Sequence, residues 1–142
     1  MREVQGHSRD SIQFFCLDEM VPNDSFFRVV DTFVDSIDLN KLGYKDKQRK
    51  SNAGRPAYST KALIKLFICG YRLSIRSGRK LEEVCKFDVR FKWLLNSTTP
   101  DANTINDFRK NNTSLLKDVF YELNRNLKKM NLLSLNSLSQ DG

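Results

Sequence analysis

The sequence predicts an all-α fold: a compact multi-helix domain of five or six helices, with a helix-turn-helix-like element and a long C-terminal helix. Three observations predict it. Apolar side chains recur three and four residues apart along much of the chain, helix-capping residues stand ahead of those stretches, and turn-rich links separate the short ones. At 142 residues the chain has the size of one domain, and ten Phe, four Tyr and one Trp supply the bulk for a single core.

Residues 1–22 read as an extended lead-in, with Phe14, Phe15 and Leu17 among polar neighbours and Met20-Val21-Pro22 at its end. Asn23 or Asp24 then caps a first helix to about residue 38, where Phe26, Phe27, Val29, Val30, Phe33, Val34 and Ile37 recur at helical spacing and the acidic residues fall on the other side. From Asn40 to Ala57 the composition turns to Lys, Arg, Gly and Ser, a basic and mobile loop.

Ser59 or Thr60 starts the next helix, expected over about residues 60–76. Apolar or small side chains take up nearly its whole circumference, so it should be largely buried. Its cations Lys61, Lys65, Arg72 and Arg76 fall in a stripe about 60° wide at 100° per residue. Like charges four apart cost a helix about 0.2–0.5 kcal/mol per pair, so the stripe suggests a role other than stability, phosphate contact being the first candidate. The plain alternative is that a buried helix has one solvated edge, which any long polar side chain can occupy.

Ser77-Gly78 breaks that helix, and a short one follows from Arg79 with Leu81, Val84 and Cys85 inward. Asp88 caps a third short piece, Val89 to Leu95, in which Val89, Phe91, Trp93 and Leu94 pack. Residues 96–101 are a turn-rich link, after which Asn103 caps a helix with Ile105 and Phe108 inward and Thr104, Asn106, Asp107, Arg109 and Lys110 outward. Short helices, tight connections and a polar outer face have the general form of a helix-turn-helix. Asn112 or Thr113 starts the last helix, to about Met130, with Leu116, Phe120, Leu123, Leu127 and Met130 spaced four and three apart. That seam either packs on the core or pairs with a partner helix.

The formal charge of +7 is unevenly placed. Residues 1–40 hold three basic and eight acidic side chains, net −5; residues 41–99 hold fifteen and four, net +11; residues 100–142 are close to balance at +1. Like charges crowded into one block oppose compaction, so the middle of the chain suggests a polyanionic partner, with nucleic acid first and a solvated basic face as the alternative. The acidic first forty residues are a candidate mask for that block.

Several functions are disfavoured. The longest apolar runs are a few residues, far below the roughly 20 that cross a bilayer, and Met1 to His7 lacks the apolar centre of a secretory signal, so a cytoplasmic chain is expected. Cys16, Cys69 and Cys85 are widely spaced with His7 as the sole histidine, which encodes neither a disulfide framework nor a zinc site; reduced core thiols are expected. A nucleophile–base pair, a Walker loop and a dinucleotide fingerprint are lacking. On the DNA-facing side, Arg55 in Gly54-Arg55-Pro56 is a candidate for a narrow minor groove, and Asn106 and Arg109 are of the types that contact adenine and guanine edges in the major groove, together with Lys110. Each of these also reads as an ordinary turn or exposed helix residue.

The pieces Gly54-Arg55-Pro56-Ala57-Tyr58, Leu63 through Gly70-Tyr71, Ile75-Arg76-Ser77, Arg79-Lys80-Leu81-Glu82, Phe91-Lys92-Trp93-Leu94, Pro100-Asp101 and Thr104-Ile105-Asn106-Asp107-Phe108-Arg109-Lys110 occur in an order and spacing that resembles the N-terminal domain of insertion-sequence DDE transposases of the InsH type. The resemblance covers about residues 14–142. It implies a bacterial, helical, DNA-binding domain, nucleoid-associated when bound, that recognises an element's terminal repeats in double-stranded DNA and assists dimer assembly ahead of a ribonuclease-H-like catalytic domain. The catalytic domain of such transposases holds two Asp and a Glu that bind divalent metal, usually Mg²⁺.

By the same resemblance residues 135–142 correspond to the first catalytic strand, and Asp141 to its metal-binding Asp. The expected organisation is therefore lead-in 1–22, helical DNA-binding domain 23–130, and the start of a catalytic domain at 131–142. One carboxylate cannot perform two-metal chemistry, so this chain is expected to have no metal site and no enzymatic activity of its own. Phosphate contacts are expected from Lys61, Lys65, Arg72, Arg76, Arg79 and Lys80. The alternative function is a protein-interaction module that dimerises through residues 116–130, or pairs with full-length transposase as a truncated inhibitor.

Overall fold

Ser25 sets the first helix. Its hydroxyl accepts a hydrogen bond from Phe27 N at 3.2 Å, meeting one of the open amides there, and α1 runs Phe26–Ser36. The cap is thus Ser25, not the expected Asn23 or Asp24, and the helix stops two residues early. The structure, a computed structural model, describes residues 2–44 and 58–141, with side chains through Met130.

Among the described residues there are five further helices and no strand: α2 (Thr60–Arg72), α3 (Gly78–Phe87), α4 (Val89–Leu94), α5 (Ala102–Asn111) and α6 (Thr113–Asp141). The all-α expectation holds. The caps come from Ser59, Ser77, Asp88 and Asp101, each accepting a backbone N–H of its own first turn. At α5 the expected cap was Asn103. Asp101 takes its place, and Glu82 reaches across from α3 to accept from Ala102 N at 3.2 Å.

The core forms around α2, in which every residue from Leu63 to Gly70 is buried. Phe27, Val30 and Val34 meet it from α1, Leu81 and Cys85 from α3, Phe91 and Leu94 from α4, Ile105 from α5, and Leu115, Leu116, Val119 and Leu123 from α6. Phe27 and Phe91 pack edge to face with ring centroids 4.9 Å apart. Val84 and Trp93, expected inward, are only half-buried. Gly70 permits α3 to approach, since a Cβ there would stand 2.5 Å from Leu81 Cδ2 and 3.1 Å from the Ile75 carbonyl oxygen.

The end of the lead-in is more structured than expected. Leu17–Met20 forms a 3-10 turn, Val21 is buried, and the Arg28 guanidinium bonds the Asp18, Val21 and Pro22 carbonyls and the Asp18 carboxylate. Trp93 Nε1 donates to Asp18 Oδ1 at 2.9 Å, and that bond, with Arg28, holds the Asp18 carboxyl below the usual carboxylate range. Leu39–Leu42 is a second 3-10 turn where a loop was expected. The remainder of the basic loop, residues 45–57, lies outside the described residues.

α2 ends at Arg72, four residues short of expectation. The chain turns through Ser74, a non-glycine residue in the left-handed region at φ 61°, and Ile75 N bonds back to the Gly70 carbonyl at 2.8 Å. At the other end of the chain α6 stays helical through Asp141, so the strand expected over residues 135–142 is not formed. Local helix periodicity outweighs the likeness to a strand there. Cys69 and Cys85 are the expected core thiols, with burial pushing both pKa values up, that of Cys85 to about 12; Cys16 is exposed, contrary to expectation. Among the described residues no helix is long and apolar enough to cross a membrane.

Candidate nucleic-acid interface

The cationic stripe of α2 divides into two halves of different fate. Lys65 Nζ lies 2.7 Å from Asp31 Oδ1 and 2.8 Å from Asp35 Oδ1, both on α1, and the residue is only 8% exposed. Lys61 Nζ donates to the Asp35 carbonyl at 3.1 Å. At the other end of the same two helices, the Arg72 guanidinium lies 5.1 Å from the Phe26 ring. Rising numbers on α1 thus meet falling numbers on α2, so the helices are antiparallel. The acidic face of α1 covers the first half of the stripe.

Burial disfavours the Lys65 ammonium, but the hydrogen bonds and charges of Asp31 and Asp35 outweigh it and hold its pKa above that of free lysine. Lys65 is therefore corrected from a phosphate contact to an internal ion pair. The same geometry answers the masking idea. Asp31 and Asp35 are spent inside the domain, and α1 carries Phe27, Val30 and Val34, so removing residues 1–40 would dismantle the core instead of uncovering a surface.

The second half of the stripe is open. Because α2 stops at Arg72, Arg76 lies in the turn before α3, with its guanidinium 5.3 Å from the Tyr71 ring centroid. Tyr71 is itself 58% exposed and packs its ring against Phe120 of α6. Arg79 and Lys80 follow at once in the first turn of α3 and are exposed. Among the described residues none of Arg72, Arg76, Arg79 and Lys80 has a carboxylate within 4.0 Å. Four uncompensated cations therefore sit on one corner, residues 72–80. The first turn of α3 holds no acidic residue, so the helix dipole adds to the positive potential there.

The candidate base readers are placed differently. Arg109 Nη1 donates to the Arg76 carbonyl at 2.7 Å, Nη2 donates to Asn106 Oδ1 at 3.1 Å, and the guanidinium lies 5.2 Å from the centroid of Phe67. Asn106 stands against Gly78, where an added Cβ would come within 2.5 Å of Oδ1. Arg109 is half-buried with both terminal nitrogens hydrogen-bonded within the protein, whereas Asn106, whose oxygen accepts from Arg109, and Lys110 are exposed on α5. Arg55 lies outside the described residues, and of Asp141 only the helical backbone is described. Among the described residues no three of His, Cys, Asp and Glu converge as a metal site.

Sequence reasoning missed the aromatic supports Phe26, Tyr71 and Phe67. Phe26 and Arg72 are far apart in the chain, and Tyr71 and Arg76 are five apart across a helix end, so no periodicity pairs them. An apolar groove of about 580 Å³ also runs between α1 and α6, with Val29 and Phe33 on one wall and Leu127 and Met130 on the other.

Residues 15–111, more than half of the chain, match the family model described as a transposase domain (DUF772). No curated protein and no solved structure matches the chain.

Proposed function

The chain belongs to the transposase domain family and has a transposase-related role, and from that premise we propose that it is a DNA-binding domain recognising the ends of an insertion element in duplex DNA. The InsH-type kinship is part of this reading. The observation that carries it is the corner at residues 72–80, where Arg72, Arg76, Arg79 and Lys80 stand exposed without acidic partners among the described residues. A folded protein gains no stability from such crowding, and a phosphate backbone compensates it.

In this reading the corner fixes the domain on phosphates, Lys61 at the far end of α2 and Lys110 on α5 are further contacts, and Arg55 enters the minor groove. Packing of α3 against α5 provides the helix-turn-helix-like element. Residues 1–22 are the lead-in and residues 23–130 the binding domain. Asp141 is the candidate first of the carboxylates that hold Mg²⁺ in a transposase, and one carboxylate does not support two-metal cleavage. The chain alone then binds without cutting.

A salt titration tests the proposal. With four phosphate contacts the logarithm of the binding constant should fall against the logarithm of salt with a slope of about −3.6. A slope near zero overturns it.

One observation favours a second reading, a protein-interaction or dimerisation module acting on full-length transposase. The groove beside α6 leaves Leu127 half-buried and Met130 57% exposed. Of the seam proposed for it over residues 116–130, Leu116 and Leu123 are buried in the domain's own core, Phe120 and Leu127 are half-buried against it, and Met130 is exposed. A stable dimer in sedimentation without DNA, combined with indifference to duplex, would select this reading.

A further inference from the structure

We infer that Arg109 and Asn106 are positioning residues for a DNA contact made by Arg76, and not themselves readers of base edges; the inference rests on the DNA-binding reading above. An arginine that reads guanine must present two parallel N–H donors to the base. Arg109 has one terminal nitrogen committed to the Arg76 carbonyl and the other to Asn106 Oδ1, and it lies over the Phe67 ring. Asn106 is exposed and lies beside Gly78, but reading adenine would need both its amide oxygen and its nitrogen, and the oxygen already accepts from Arg109.

What this arrangement holds is the corner itself. The Arg76 main chain is tied to α5 through Arg109, its side chain lies over Tyr71 of α2, and Tyr71 leans on Phe120 of α6. Arg76 is thus held at its main chain by α5 and at its side chain by a ring of α2 that α6 supports, while its charge is left uncompensated among the described residues. A cation held in place before binding loses less freedom when phosphate arrives, which is the physical benefit of preorganisation.

The test is a double-mutant cycle on the full chain with duplex DNA at fixed salt, using R76A, R109A and R76A/R109A. Each single substitution should weaken binding about tenfold, and the double should be no weaker than R76A, because Arg109 acts through Arg76. An additive loss of about a hundredfold shows that Arg109 touches DNA independently and overturns the inference. Hydrogen exchange without DNA gives a second readout. R109A should speed exchange at the amides of Ile75 and Lys80, whereas R76A, which keeps the main-chain carbonyl, should not; unchanged exchange in R109A also overturns the inference. If R109A loses the wild-type thermal transition, R109K replaces it, keeping the charge and stem but not the two-pronged donor, with the same non-additive loss expected. A wild-type chain that ignores duplex overturns the DNA reading and this inference together, while binding with an additive cycle overturns the inference alone.

Discussion

Reversing both corner charges with R72E/R76E should abolish duplex binding at physiological salt while far-UV circular dichroism stays that of the wild type. Both arginines are exposed, and among the described residues neither has an acidic partner, so the substitutions replace two attractions to phosphate with two repulsions. The structural cost is small by comparison. Each substitution removes a guanidinium lying over a ring, Phe26 or Tyr71, worth about 0.5–1 kcal/mol at exposed sites. Fluorescence anisotropy with a labelled duplex, beside a thermal melt, separates the two effects. Wild-type affinity in the double variant would remove the corner from the interface.

Lys65 provides the contrasting experiment, because the stripe that contains it looks uniform in sequence. K65M should leave duplex affinity unchanged and lower stability, since it leaves Asp31 and Asp35 without their cation, at a cost moderated by the contact both carboxylates keep with solvent. D31A/D35A should lower stability by about 2–4 kcal/mol in urea unfolding, because it strands an ammonium that is almost fully buried, although both aspartates keep some contact with solvent. The pH dependence has a fixed sign. Lys65 has a pKa raised above the ordinary 10.5, so its contribution is complete below that pH and is lost as pH rises through the higher folded value. Stability of the wild type should therefore fall in that alkaline range more steeply than that of K65M. Equal alkaline profiles would show that the ion pair contributes nothing.

The fold was largely legible because the core positions follow helix periodicity. Phe27, Val30 and Val34 on α1, and Leu63, Ile64 and Leu66 through Cys69 on α2, occupy the faces that their spacing assigned. Caps were less legible. Asn23, Asp24 and Ser25 all have the chemistry of a cap, and which of them serves depends on where Arg28 ties down the preceding turn. The C-terminal strand was misread for a related reason, since residues 135–142 carry a likeness to a strand in another setting, yet residues 135–141 continue α6 and satisfy their backbone within one helix.

The candidate interface was legible by residue type and not by arrangement. The helical wheel placed Lys61, Lys65, Arg72 and Arg76 together, but it contains no neighbouring helix, and it was α1 that sorted them by supplying Asp31 and Asp35 at one end and Phe26 at the other. The wheel also assumed a helix to residue 76. Arg109 shows the same gap: its outward angle on α5 was right for an isolated helix, but the turn before α3 folds over to receive it.

Ser74 adds a mechanical consequence. A serine at φ 61° costs on the order of 1 kcal/mol that glycine would avoid, yet glycine would let the bend swivel. With a side chain present the dihedral has one narrow well and little room to drift. The two helices it joins are fastened as by a welded elbow, and whatever the elbow's outer edge grips will feel the torque of the whole domain.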